Sequence, residues 1–295
     1  MFQTVRGVSW KLGVGVAGAL TAVALGLVAC GFFLTQSFDE PQVGGILLFA
    51  GGSLGAVLLA ASPTGAPAVP DRGFPLALLA LCLVVAPAVL AVMEIFHPHG
   101  FSAHVYDYLS TSHHLYFGPK WWIALHLVQT PLVSAVGFGL LLATRGISGS
   151  LGWIARIVTA LFIVYYAALD TIAGVAVGFL INHTTSWTGV RADAAHELVQ
   201  FLFTNKGVGG TGTALSEGAS WLAFAAFSLT ALVLARAGAP ILVALLLVGG
   251  GVLIEIAHTN PYGPVGFAAV LVAALLLVPW RADLRARVPA TGAQV

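Results

Sequence analysis

The stretch from Phe74 to Phe96 reads FPLALLALCLVVAPAVLAVMEIF, and its only charged side chain is Glu94, close to its end. A run of roughly 20 apolar residues is long enough to cross the ~30 Å hydrocarbon core of a bilayer as a helix. The whole chain has this character, because 59% of its 295 residues are hydrophobic, only 8% are charged and the mean hydropathy is +0.97. A soluble domain carries about 25% charged residues. The sequence therefore predicts an all-α, polytopic integral membrane protein whose main partner is the lipid bilayer.

Seven further runs of similar composition bring the predicted number of transmembrane helices to eight. The predicted spans cover approximately residues 12–34, 44–61, 74–96, 121–143, 157–181, 213–234, 240–257 and 265–280. We interpret residues 1–295 as a single transmembrane domain. Two long loops, 97–120 and 182–212, fall on the same side of the membrane in this arrangement.

Loop charges predict the orientation of this bundle. With eight spans, nine of the twelve Lys and Arg residues fall on the side that holds both termini. Since basic residues accumulate in cytoplasmic loops, the bias predicts an N-in, C-in protein, and we expect it in a bacterial cytoplasmic membrane. Nucleic acid is excluded as a partner, because the net charge is +1 and no basic stripe or binding motif is present.

All nine histidines then fall at or near the extracytoplasmic face, which the sequence therefore marks as the functional face. Neutral imidazole is both a metal ligand and a proton carrier near physiological pH. The nine are His97, His99, His104, His113, His114, His126, His183, His196 and His258.

A short amphipathic helix is predicted over 190–203, inside the second outer loop. Polar side chains recur there at helical spacing, which indicates one polar face. They are Asp193, His196, Glu197, Gln200 and Thr204. This pattern is typical of a helix that lies on the outer membrane surface or caps the bundle. Such a helix offers a surface for a partner protein or a second copy of the chain.

Ionisable side chains inside the spans are the strongest functional candidates, because a carboxylate in hydrocarbon costs about 2.5–3.5 kcal/mol on insertion scales. Asp170 lies near the predicted midplane of span five, and a structural hydrogen bond to Tyr165, Tyr166 or a neighbouring span is the alternative role for it. Three other carboxyls lie near the outer ends of spans. The candidate proton- or substrate-binding residues are Asp170, Glu94, Glu217, Glu255 and His126.

Two spans end in a Glu-x-x-His pattern, at Glu94 and at Glu255. Glu and His at i and i+3 project from one helical face, as in metal sites built inside helical bundles. A divalent metal (zinc, copper, iron or manganese) is therefore a candidate cofactor, and a wet vestibule of scattered polar groups is the alternative. The candidate ligands are Glu94, His97, His99, His126, Glu255 and His258. Haem is not expected, because His126 and His258 lie at different predicted depths.

The two cysteines, Cys30 and Cys82, form neither a disulfide framework nor a CxxC metal site. Residues 27–30, Leu-Val-Ala-Cys, match a bacterial lipobox, which would make Cys30 a lipidated residue. We interpret the segment instead as an ordinary first span, because small apolar residues are abundant here and the match is short.

Three functions are compatible with these patterns, and no motif identifies a family. The first is a proton-coupled or metal-linked transporter, although the inner halves of the spans are almost wholly apolar and show no second half of a pathway. The second is a membrane-embedded metalloenzyme with its active site at the outer face. The third is a non-catalytic membrane subunit that docks a partner through the helix at 190–203.

Overall fold

A computed structural model of the chain describes residues 75–98, 104–111, 118–147, 149–210 and 212–286. The chain divides into two compact units, Met1–Gly65 and Ala66–Val295, and every described residue belongs to the second. Within these ranges the regular structure is entirely helical. The eight helices are α1 (Leu76–Phe96), α2 (Val105–Thr111), α3 (Pro119–Ala143), α4 (Ser150–Thr184), α5 (Val190–Thr204), α6 (Ala214–Arg236), α7 (Ile241–Ile256) and α8 (Tyr262–Ala286).

Six of these helices form a closed ring. Each packs against the next in the order α1, α3, α4, α6, α7 and α8, and α8 returns to pack against α1. Successive ring members run antiparallel, so the bundle has two distinct ends. We call one the histidine end, where α1, α4 and α7 end and α3, α6 and α8 begin. The opposite end, which holds Arg145, Arg156 and Arg281, is the arginine end.

Five of the described helices are long and apolar enough to cross a membrane, namely α1, α3, α4, α6 and α8. Their ring-facing sides supply the buried core, and their outer sides expose large apolar residues such as Leu81, Val164 and Leu275. An apolar exterior is expected where lipid replaces water as the solvent. The chain is therefore built as a multi-pass helical membrane protein.

The predicted spans agree with these helices, with two differences. The fifth begins earlier than expected and runs over Ser150–Thr184, 35 residues, while α7 is a shorter apolar helix of 16 residues. The first two predicted spans, and with them Cys30, lie outside the described residues. Eight spans and the N-in, C-in orientation stay predictions.

Two arginines donate hydrogen bonds to backbone carbonyls at the arginine end. The Arg281 side chain is buried, and its Nη2 donates to the carbonyl oxygens of Ala143 and, at 3.3 Å, of Arg145. Nη1 of Arg156 donates to the carbonyls of Thr144 and Ile147, both at 3.2 Å. The last carbonyls of a helix have no partner within the helix, so these guanidinium groups satisfy the C-terminal end of α3 and its following turn.

Close packing of α3 on α4 depends on glycine. A Cβ at Gly178 would lie 2.7 Å from Ile123 Cγ1, and one at Gly174 would overlap the His126 ring. Gly174-x-x-x-Gly178 is therefore a small-xxx-small face that lets the two helices approach closely. Gly174 also lies in a π-helical segment of α4, Asp170–Ala176, and such segments are frequent at functional sites.

Helix α5 matches the predicted range. Val199 and Phe203 are buried, whereas Leu198 and Phe201 are about 60% exposed. Gln200, on the predicted polar face, accepts a hydrogen bond at 3.1 Å from the backbone N–H of Val105. The reason is that the first N–H groups of α2 need acceptors from outside their own helix. The exposed apolar strip remains consistent with contact to lipid or a partner, which stays a prediction.

Candidate functional site

Polar side chains from four ring helices meet inside the ring at its histidine end. Glu94 and His97 come from the end of α1, His126 from α3, Asp170 from α4 and His258 from the loop after α7. We call these five residues the carboxyl–imidazole cluster. Glu94 is 0% exposed, Asp170 2%, His126 4% and His97 5%, and His258 is partly buried. Burial of four such side chains within membrane-spanning helices is unusual and marks a candidate functional site.

The three imidazoles of the cluster are neighbours. The His97 ring centroid lies 5.3 Å from that of His126 and 5.0 Å from that of His258, with the ring planes steeply inclined. Trp122 packs 4.2 Å from His126, and Tyr166 lies 5.9 Å from His258. His97 is therefore the central ring of the three.

Backbone carbonyls fix the orientation of two rings. Nδ1 of His126 donates to the Trp122 carbonyl at 2.8 Å, and Nδ1 of His97 donates to the Pro98 carbonyl at 2.7 Å. In the neutral form of each ring this assigns the proton to Nδ1 and leaves Nε2 as the basic nitrogen. The arrangement suits either a proton acceptor or a metal ligand, because ligating histidines commonly donate their other nitrogen to a carbonyl.

The hydrogen bonding of Asp170 is incomplete if its carboxyl is ionised. Oγ1 of Thr130 lies 3.2 Å from Asp170 Oδ2 and 2.7 Å from the His126 carbonyl oxygen. A hydroxyl has one proton to donate, so it cannot serve both acceptors at once. A protonated Asp170 resolves the conflict, because its own O–H can donate to Thr130 while Thr130 donates to the carbonyl.

The hydrogen bonding of Glu94 is less complete than that of Asp170. Both of its carboxyl oxygens are buried, and neither has a hydrogen-bond partner among the described residues. Asp170 lies within electrostatic reach, and no described Lys or Arg forms an ion pair with either carboxyl. A buried carboxylate without a cation is strongly unfavourable. The pair therefore needs bound protons or a bound cation.

Beyond the cluster, toward the arginine end, the ring interior is filled mainly by apolar side chains, together with the buried Thr159 and Thr230. Phe162 packs 5.7 Å from Tyr166 and 6.2 Å from Phe227, and all three are almost fully buried. These aromatic rings form a floor below the cluster. The observation agrees with the apolar inner halves expected from the sequence.

Helices α2 and α5 pack together at the histidine end. The Tyr106 hydroxyl lies 3.0 Å from Thr184 Oγ1 at the end of α4, and His196 Nε2 lies 3.4 Å from Asp107 Oδ2. These polar contacts join α2 to both α4 and α5. The site is thus floored by aromatics and flanked by two short helices.

The structure separates the predicted site residues into two groups. Glu94, His126 and Asp170 belong to the cluster, whereas Glu217 and Glu255 interact with each other across α6 and α7. Among the described residues, no hydrogen bond or ion pair joins those two glutamates to the cluster. The predicted ligand set is therefore not assembled as a whole, and His99 lies outside the described residues.

The prediction that each Glu-x-x-His pattern places its Glu and its His on one helical face is wrong. Glu94 begins a single 3₁₀ turn, Glu94–Phe96, and His97 follows it in extended conformation. Helix α7 ends at Ile256, before His258, and Ala257 is extended. His97 and His258 enter the ring because the chain turns inward after each helix, and not because they share a helical face with the preceding glutamate.

Two polar residues of the site, Gln129 and Thr130, were missed from the sequence. Gln129 is fully buried and its Nε2 donates to the Tyr166 hydroxyl at 3.4 Å, and Thr130 contacts Asp170. His126, Gln129 and Thr130 occupy positions i, i+3 and i+4 of an otherwise apolar helix. That polar stripe was a usable signal, because side chains at this spacing share one helical face.

The metal site expected from the sequence stays a prediction. In the part of the chain that the structure describes, no group of three or more His, Cys, Asp or Glu side chains has the arrangement of a metal site. The His97 ring approaches the His126 and His258 rings edge to face. A metal cofactor therefore stays a proposal.

These features define the class of the protein as a multi-pass helical membrane protein with a buried carboxyl–imidazole cluster. Comparison of the chain with models of known families, with curated proteins and with solved structures finds no match. Function must therefore be argued from the cluster itself.

The titration of His258 gives one direct test of the described geometry. This histidine lies in a loop outside the spanning helices, and burial lowers the pKa of its ring to about 4 from an ordinary 6.5. The unfolded chain then binds a proton that the folded protein does not, so stability is complete above about pH 6.5 and falls as the pH drops toward 4. We expect His258→Asn to reduce the decrease in melting temperature between pH 7 and pH 5.

The exposed His104 supplies the control for this measurement. His104→Asn should show the same acid-induced decrease as the wild type. An unchanged decrease in His258→Asn would mean that the His258 ring is already protonated, or equally solvated, in the folded protein.

Proposed function

We propose that the protein is a proton-coupled membrane transporter in which Glu94 and Asp170 carry the coupling proton. The observation behind this proposal is that two buried carboxyls lie within electrostatic reach of each other without a described basic partner. Chains of Asp, Glu and His inside membrane bundles are the usual material of proton relays. Here the neutral acid also completes the hydrogen bonds around Thr130.

The imidazoles provide a path for this proton toward the histidine end. His126 and Trp122 lie near Asp170 on adjoining turns of α3 and α4, and His97 bridges His126 to His258. His258, in the loop after α7, is the member of the cluster nearest the loops. In this proposal the proton passes between the carboxyl pair and the solvent by protonation of the basic Nε2 nitrogens of these rings in turn.

The aromatic floor fits a transporter whose access from the arginine end to the cluster is closed. Phe162 and Phe227 separate the cluster from the arginine end, so a proton or solute would cross only after helices move. The π-helical segments of α1, Leu81–Val85, and of α4, Asp170–Ala176, are the places where a helix can change its register. Extracytoplasmic access, a proton as the coupling ion and the solute itself are all parts of this proposal.

Infrared spectroscopy tests the protonation that the proposal requires. We expect metal-free wild-type protein at pH 7 to show the carbonyl stretch of a protonated carboxyl, and this band should shift in D₂O because the proton exchanges with water. Glu94→Gln should weaken or remove the band while leaving the helical amide bands unchanged. Ionised carboxyls throughout the wild-type protein at pH 7 would refute the proposal.

A second candidate function is a metal-dependent membrane enzyme. It is favoured by the hydrogen bonds of two histidine rings. His97 and His126 both donate Nδ1–H to backbone carbonyls, which leaves Nε2 of each ring as the nitrogen that would bind a metal. Glu94, Asp170 and His258 would complete the ligand set. A metal held there would polarise a substrate or activate water. Its positive charge would balance the ionised carboxylates of Glu94 and Asp170, which carry protons in the transporter proposal.

Elemental analysis separates the two functions on the same sample. Near-stoichiometric zinc, copper, iron or manganese that is lost in His97→Ala and His126→Ala would replace the proton proposal by the enzyme. Protein that contains no metal, yet shows the exchanging carboxyl band, would support the transporter.

A further inference from the structure

An open groove lies at the arginine end, far from the carboxyl–imidazole cluster. It has a volume of about 510 Å³, within the range of about 300–1,000 Å³ typical of small-ligand sites. It is formed where α3 ends, where the chain turns, and where α4 begins. The lining residues are Leu141, Leu142, Arg145, Gly146, Ile147, Trp153 and Arg156.

The groove combines apolar walls with positive charge. Leu141, Leu142 and Ile147 supply the apolar side, and no acidic side chain lines it among the described residues. Arg145 is exposed and Arg156 is half-buried. A ligand that fits this surface has an anionic group next to a hydrocarbon part.

The Arg156 guanidinium is fixed in position by contacts within the protein and still has N–H groups to donate to such a ligand. Its Nη1 is fixed by the two turn carbonyls at 3.2 Å, and its guanidinium carbon lies 4.9 Å from the centre of the Trp153 ring. Its other nitrogens form no hydrogen bond with a described residue. The planar guanidinium is suited to phosphate oxygens, which it binds through paired hydrogen bonds.

The position of Trp153 places the groove at the surface of the bilayer. Its side chain is 64% exposed, one turn before the exposed Ile157 on the outer side of α4. Tryptophan at the end of a spanning helix is typical of the headgroup level. Basic pockets between spanning helices at that level bind anionic headgroups.

From these contacts we infer that the groove is a binding site for an anionic phospholipid. The headgroup phosphate contacts Arg145 and Arg156, and the adjoining chain lies against Trp153 and the leucines of α3. The inference is independent of the transport proposal, because it uses none of the cluster residues.

Fluorescence quenching in nanodiscs tests this site with the full chain. Nanodiscs of phosphatidylcholine receive rising fractions of phosphatidylglycerol with brominated acyl chains, and the Trp153 signal is obtained as wild type minus Trp153→Phe. We expect saturable quenching at a lipid fraction about five-fold lower than for brominated phosphatidylcholine, since one basic residue near a charged surface contributes roughly that factor.

Matched variants identify the charge that is responsible. Arg145→Gln should raise the half-saturating fraction about five-fold, and Arg145→Lys should restore it. Arg285→Gln is the control, because Arg285 is an exposed basic residue at the same end on α8 and does not line the groove.

Three results would overturn the inference. One is equal quenching by the two brominated lipids, and another is an Arg145→Gln curve that superimposes on the wild type. The third is loss of quenching on addition of inorganic phosphate, which would identify a site for soluble phosphate and not for lipid.

Discussion

Replacing Asp170 by Asn is expected to abolish proton-coupled transport without unfolding the protein. The amide has nearly the same shape as the carboxyl and can still hydrogen-bond to Thr130, which lies 3.2 Å from Oδ2. It cannot release and rebind a proton near neutral pH. Since removal of a positioned proton-transfer group commonly costs 10²-fold or more in rate, we expect a decrease of about 100-fold.

Proteoliposomes with an internal pH indicator measure this effect. A panel of solutes is added until one changes the internal pH through the wild-type protein, and the variants are then compared with that solute. Asp193→Asn is the control, because Asp193 is an exposed acidic residue of α5. Proton movement by Asp170→Asn at the wild-type rate, with an unchanged melting temperature, would exclude Asp170 as the coupling group.

Gly174→Ala is expected to destabilise the folded protein by crowding the carboxyl–imidazole cluster. The new Cβ would lie 2.6 Å from the Cβ of His126 and would overlap its ring. The ring cannot yield easily, because its Nδ1 is bonded to the Trp122 carbonyl and its face packs on Trp122. Overpacking of this kind typically costs about 1–3 kcal/mol, beyond the gain in helix propensity.

Gly249→Ala is the matched control for this substitution. Gly249 also lies in a helix, α7, but nothing lies within 4 Å of a Cβ placed there. Alanine should therefore stabilise the protein by up to about 1 kcal/mol, the helix-propensity difference between the two residues. Thermal unfolding in detergent should show a lower melting temperature for Gly174→Ala and a higher one for Gly249→Ala. Melting-temperature shifts of equal sign and size would show that α3 and α4 separate at Gly174 without a cost in stability.

Sequence periodicity and length predicted most of the fold correctly, because the physics of a membrane span is local. Each apolar run must satisfy its own backbone hydrogen bonds, so the run itself indicates a helix. The start of α4 at Ser150 was predicted too late because the segment before Ile157 contains Arg156, a charged residue that the structure places beside the turn carbonyls.

The candidate site was predicted as individual residues but not as an arrangement. Asp170 and Glu94 were identifiable because ionisable groups in apolar runs are costly. Gln129 was missed because an uncharged amide carries a weaker signal, although it is 0% exposed. Glu255 was grouped with His258 on the basis of helical spacing, and the end of α7 at Ile256 removed that basis.

The sequence alone determined that this protein is helical, apolar on its exterior and polar at one end, because composition and period are properties of each segment. Only the tertiary structure decided that Glu94 and Asp170, on different helices, become neighbours, and that His97 lies between His126 and His258. The physical reason is ring closure. The contact between α8 and α1 brings distant segments around one interior, and the close approach of α3 to α4 at Gly174 sets the depth at which their polar side chains meet.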